Sequence, residues 1–139
     1  MQLIGENKAT AQKALNVMVA GLRAQGCQSL NEEGACVYRS QVTGNKCAIG
    51  YVIADEHYET YMEGSNPDDS CVAAAIKASG FAVNQEGGKD FYTDAQLRLH
   101  DSFSGAADDF PTRFEKFLPV FCASWGLDVP PIQASTTNP

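Results

Sequence analysis

Two apolar stripes with the period of an α-helix frame the chain. Ala11, Ala14, Leu15, Met18, Val19 and Leu22 fall at i, i+3, i+4, i+7, i+8 and i+11, which predicts an amphipathic helix over residues 7–25. Gly26 follows where a left-handed residue would stop it. Near the other end, Phe114, Phe117, Leu118, Phe121, Cys122 and Trp125 repeat the same spacing. They form the largest aromatic block and predict a helix at the centre of the core, closed by Gly126. Pro119 inside that block removes one backbone hydrogen bond and predicts a kink.

Between the stripes the signals are shorter. ACVYRSQV, bounded by Glu33-Gly34 and Thr43-Gly44-Asn45, reads as one strand of a small hairpin. KCAIGYVIA is apolar nearly all round. It fits a buried short helix or a core strand, and helix is preferred because Ala48 and Gly50 would let another backbone pack close. DEHYETYMEG continues as a polar helix or turn. Asn66-Pro67-Asp68-Asp69 predicts a helix start, with Asn66 as cap and Pro67 at the first position. Val72, Ala75 and Ile76 are its buried side and Gly80 its end. Residues 85–88 read as a loop. Thr93 and Gln96 then make a capping-box pattern, with Tyr92 and Leu97 as its hydrophobic staple, opening a short helix that Ser104-Gly105 breaks. After Asp128 the uncharged, aperiodic tail is expected to be mobile. The fold class that results is mainly α with a small β element (α+β). Four to five helices surround one core over residues 1–128, with a disordered tail over 129–139.

Composition bounds what this domain can be. The chain has 139 residues, 44% of them hydrophobic and 19% charged, which is ordinary for one globular domain. No basic segment followed by an apolar run opens it, and no apolar run is long enough to span a bilayer. The expectation is a cytosolic protein without membrane contact. Cys27, Cys36, Cys47, Cys71 and Cys122 are odd in number and include no C-x-x-C pair, which favours reduced, buried thiols over a disulfide framework. The net charge of −7 is concentrated. Residues 47–76 hold Asp55, Glu56, Glu59, Glu63, Asp68 and Asp69 and no Lys or Arg. That argues against direct nucleic-acid binding, which needs clustered Lys and Arg, and permits contact with a basic partner.

Few residues suggest chemistry. His100-Asp101 would do acid–base work, but adjacent helical residues diverge by about 100°, so the plainer reading is a packed histidine with one hydrogen bond. Cys36 and Cys47 bracket the turn at Thr43-Gly44-Asn45 and would supply half of a zinc site, with His57 or His100 completing it. Their spacing departs from that of zinc fingers, and no cofactor is the preferred expectation. Cys47 would also serve as a nucleophile if it opened a helix beside Lys46. Glu56, Glu59 and Glu63, at i, i+3 and i+7, read as a solvated helix face that would meet a basic partner. Phosphate-loop, dinucleotide, zinc-protease, nucleophile-elbow and EF-hand motifs are all absent from the sequence.

Residues 36–64, CVYRSQVTGNKCAIGYVIADEHYETYMEG, resemble a pattern in a family of small proteins encoded by tailed bacteriophages. The matching positions are Cys36, Tyr38, Arg39, Gly44, Lys46, Cys47, Ala48, Gly50, Ile53, Asp55, Tyr58, Met62, Glu63 and Gly64, with Leu97, His100 and Asp101 downstream. The likeness runs over about residues 7–127. It implies expression in a host cytoplasm and implies no particular reaction. The shared residues also have structural readings: Arg39 pairing with Asp55 or Glu63, and Tyr58 anchoring the next element with its hydroxyl in water.

The expectation from these features is a phage accessory protein without enzymatic activity, one that binds a host or phage macromolecule and inhibits a host factor. Asp55, Glu56, Glu59 and Glu63 would carry the contact. The alternatives are a small metal- or thiol-dependent enzyme using Cys36, Cys47, His100 and Asp101, and a virion or assembly component.

Overall fold

The computed structural model describes residues 5–67, 69–81, 85–100 and 109–132, with residues 85–90 as backbone alone. Among the described residues there are five helices, α1 (Gly5–Gln25), α2 (Ala48–Val52), α3 (Ser70–Ala78), α4 (Gln85–Leu99) and α5 (Phe110–Trp125), with 3-10 turns at Asp55–His57 and Thr60–Met62. α1 packs on α2 and α4, and α4 on α2 and α5.

Every residue of the first apolar stripe is fully buried in α1. At about 1.5–3 kcal/mol for each large aliphatic side chain, that face alone explains why α1 docks. Gly26 closes it with φ +74°, and its N–H reaches Leu22 O at 2.8 Å. α5 is capped by Asp109, whose side chain accepts the Thr112 N–H, and ends at left-handed Gly126. Its buried side is the predicted stripe, except that Phe117 is 38% exposed. Pro119 is exposed, and its ring does not divide the helix, which runs unbroken to Trp125.

Phe91 of α4 is the hub of the aromatic core. Its ring centroid lies 5.1 Å from Tyr92, 5.8 Å from Phe121 and 5.4 Å from Trp125, the last edge-on. Asp94 ties the same pair of helices by accepting the Trp125 indole N–H at 2.8 Å and pairing with Arg98 at 3.0 Å.

Four local expectations are corrected. First, α4 begins at Gln85, so Gln85–Gly88 is helix, and Thr93 lies inside it rather than at its cap. Phe91, Tyr92, Ala95 and Leu99 are buried, and packing on α5 outweighs the poor helix propensity of Gly87 and Gly88. Second, α3 starts after Asp69. Asn66 and Asp69 close a turn of their own, with Asp69 N donating to Asn66 O and Asn66 N to Asp69 Oδ2, at 3.0 and 2.9 Å. Third, the polar stretch after α2 is two single turns, so Glu56, Glu59 and Glu63 do not share one helical face.

Fourth, the β-hairpin is absent. Among the described residues there are only two isolated antiparallel bridges, Leu30↔Cys36 and Arg39↔Lys46. Each closes its own small loop. Asn31 Oδ1 holds the first by accepting the N–H groups of Glu33 and Ala35. The Ser40 hydroxyl holds the second, donating to Leu30 O at 2.6 Å and accepting from Val42 N and Thr43 N. A ladder cannot continue through Tyr38 and Arg39 because a carboxylate takes both of their N–H groups.

The segment expected to leave the body at Val129 stays attached through Pro131. Gln12 exchanges two hydrogen bonds with the Asp128 backbone, and Arg23 Nη1 donates to the carbonyls of Pro130 and Pro131 at 2.9 and 3.0 Å. Residues 133–139 lie outside the described residues.

Candidate functional site

The residues of the central pattern converge on Arg39. α2 presents Gly50 to the Tyr38–Arg39 backbone so closely that a Cβ on Gly50 would sit 2.2 Å from Tyr38 O. That carbonyl accepts the Cys47 N–H at 3.1 Å. The Arg39 guanidinium reaches past α2, donating from Nη2 to Ile53 O at 2.8 Å and pairing through Nη1 with Asp55 at 2.8 Å. Lys46 Nζ stands 3.7 Å from the same Asp55 oxygen. The guanidinium also lies over the Tyr58 ring, 4.6 Å from its centroid.

Glu63 closes the cluster from the other side. Oε1 accepts Tyr38 N–H at 2.9 Å; Oε2 accepts Arg39 N–H at 3.0 Å and the Tyr58 hydroxyl at 2.6 Å. The Tyr38 hydroxyl donates to Ser65 O. Burial, then the hydrogen bond to Glu63 and its charge, push the Tyr58 hydroxyl well above the usual tyrosine range. The Arg39–Asp55 contact adds little stability by itself, about 0–1 kcal/mol, because Asp55 is 81% exposed. The bonds to Glu63 weigh more. They are charge-assisted and replace backbone bonds that no strand supplies.

The expected site residues fare differently. Cys47 does open a helix, as the N-cap of α2, but it is fully buried and its sulfur accepts the Gly50 N–H at 3.3 Å. His100 is fully buried, and its Nε2 accepts the Ser29 N–H at 2.9 Å. That bond fixes the ring proton on Nδ1 and engages the nitrogen that a base or metal ligand would offer. Leu97, expected in a hydrophobic staple with Tyr92, is 53% exposed while Tyr92 is buried. Asp101 and Asp68 lie outside the described residues. Cys36 sits on the first bridge, with Gln28 Nε2 at 3.9 Å from its sulfur, and His57 on the first 3-10 turn. Among the described residues, no three His, Cys, Asp or Glu side chains are grouped for a metal ion. No described helix is long and apolar enough to cross a membrane.

Of the four expected binding acids, Glu63 is turned inward and Asp55 is held by Arg39 and Lys46. Glu56 and Glu59 are exposed. Sequence reasoning missed a further acidic feature. The two small loops and the Tyr58–Glu63 segment enclose an open cleft of about 350 Å³, with Glu32, Glu33, Val37 and Val42 on its walls beside Arg39, Tyr58 and Glu63. Its signal was the Glu32-Glu33-Gly34 turn, which marks a loop tip carrying two carboxylates. No protein-family model, curated protein or solved structure matches the chain.

Proposed function

We propose that this chain is a non-enzymatic binding protein, a phage accessory protein acting in the host cytoplasm, whose acidic side engages a basic surface of a host or phage macromolecule. Interference with a host factor is the expected consequence. The observation that carries this reading is the fate of the reactive groups. Cys47 and His100, the best nucleophile and base in the sequence, are both fully buried and bonded to backbone N–H groups. Glu56 and Glu59 are exposed, and Glu32 and Glu33 line the cleft. A surface of this kind attracts a basic partner over distances of about a Debye length and binds it with strong salt dependence.

The test is affinity capture with the tagged chain from infected host lysate, beside an E56K/E59K variant and at two salt concentrations. One dominant protein, lost in the variant and at high salt, is the expected outcome. Capture that neither the variant nor salt alters would refute the acidic side as the contact.

A further inference from the structure

We infer that the cleft between the two small loops and the Tyr58–Glu63 segment is a pocket for a lysine or arginine side chain of a partner protein. The inference rests on the binding reading above and gives it a place and a chemistry.

The shape is suited to a single side chain. The volume of about 350 Å³ falls at the lower end of small-ligand sites. The walls are mixed in the way a long cationic side chain requires. Val37, Val42 and the Tyr58 ring offer apolar surface for a methylene stem, and Val42, 59% exposed, is open to being covered by it. Glu32 and Glu33, both exposed at the loop tip, stand where the stem's charged head would emerge. Among the described residues neither has a salt-bridge partner.

The charge excludes the opposite ligand. Among the described residues Arg39 is the one cation on the lining; its Nη1 and Nη2 are committed to Asp55 and Ile53 O, and its Nε has no hydrogen-bond partner but is buried away from the cleft's solvent. An anion entering the cleft would meet Glu32, Glu33 and Glu63 without a free cation to receive it. The pocket is also held ready. Asn31 and Ser40 fix the two loops by hydrogen bonds within each, so little ordering is left for binding to impose.

The experiment titrates the isotope-labelled full chain with N-acetyl-arginine amide while amide NMR shifts are followed. N-acetyl-citrulline amide, the uncharged analogue, serves as the comparison. Saturable shifts are expected at Glu32, Glu33, Val42 and Tyr58 with the arginine probe and not with citrulline. The E32Q/E33Q variant should keep its spectral dispersion and bind about tenfold more weakly, the scale of two partly exposed ion pairs. Equal binding of the citrulline probe, or unchanged affinity in E32Q/E33Q, would overturn the pocket. Shifts confined to Glu56 and Glu59 would overturn it too, while leaving the broader acidic-side reading intact. No saturable shift anywhere would also end the pocket, and the capture experiment with E56K/E59K would then judge the binding reading by itself.

Discussion

Replacing Gly50 with alanine tests how the central cluster is built. In an ordinary helix position the change stabilises by about 1 kcal/mol, because alanine loses less backbone entropy than glycine. Gly50 does not have positive φ, so alanine meets no backbone strain of its own. Sterics alone decide the outcome. The new Cβ would lie 2.2 Å from Tyr38 O, and 3.2 Å from both Tyr38 C and Lys46 Cβ. A carbon–oxygen contact needs about 3.3 Å, so helix and loop must part by about 1 Å. The atom in the way is backbone, anchored by the Cys47 N–H on one side and by Glu63 through the Tyr38 and Arg39 N–H groups on the other. Overpacking costs about 1–3 kcal/mol, and a weakened buried hydrogen bond about 1 kcal/mol more. Against the propensity gain, a net loss of about 2 kcal/mol remains. For a domain of this length that lowers Tm by roughly 6–10 °C, measurable by circular dichroism or calorimetry. Gly21→Ala is the companion variant. Its Cβ meets the Tyr51 ring at 2.5 Å, and that ring is held by its hydroxyl's bond to Gln25 Oε1, so a loss is expected there as well. A Gly50→Ala protein that melts at or above the parent temperature would refute the close approach and the rigid cluster derived from it.

Three further outcomes are expected. Glu63→Gln should cost about 1–3 kcal/mol, because an amide NH₂ would face donors that now meet a carboxylate; urea denaturation measures it, and an unchanged midpoint would remove Glu63 as the organiser. Tyr51, Tyr58 and Tyr92 are all raised above ordinary tyrosine, each first by burial. Above about pH 10 the unfolded chain has then lost protons that the folded chain keeps, so the stability tied to these groups is full below that pH and falls as pH rises beyond it. Tyrosinate absorbance should show fewer phenols ionising near pH 10 in the native protein than in urea, and superimposable curves would contradict it. Finally, Cys122 is buried and pushed up to about 11, by burial and then the Asp128 charge, with Arg23 opposing, and Cys47 is fully buried. A thiol reagent near pH 8 should therefore modify exposed Cys27 quickly and Cys47 and Cys122 only as the protein opens; fast reaction at Cys47 would revive the nucleophile reading.

What was legible in the sequence follows from how local each signal is. The stripes of α1 and α5 repeat over eleven positions and were placed to within a few residues, because burial of one face is written directly in the period. Gly50 was readable as a point of close packing because it interrupts an apolar run where only a missing side chain makes sense. The α4 start was not readable. Gly87 and Gly88 argue for a loop by propensity, and only the packing of Phe91 on Phe121 and Trp125, far away in sequence, argues against it. The strand reading of residues 35–42 failed for a similar reason. β-branched and aromatic content says that the backbone is extended, not which acceptor its N–H groups will find, and here that acceptor is the side chain of Glu63. The same non-local bonds misdirected the site reading, since spacing alone put Glu63 on a solvated face.

The cluster around Arg39 also bears on the proposed recognition role. Arg39, Glu63, Cys47 and His100 are the residues whose chemistry stands out in the sequence, and each is spent on holding backbone that has no sheet to complete it. A chain with one short α2 and two loops closed by single bridges needs such side-chain acceptors, because buried N–H groups left unpaired cost about 1–3 kcal/mol each. Groups fixed this way are poor donors of protons or electron pairs to a substrate. The rigidity they confer is useful at a surface instead. Beside that cluster, the bonds of Asn31 and Ser40 hold Glu32, Glu33 and Val42 on preformed loops, so that an arriving basic side chain would find its carboxylates and apolar wall already in position.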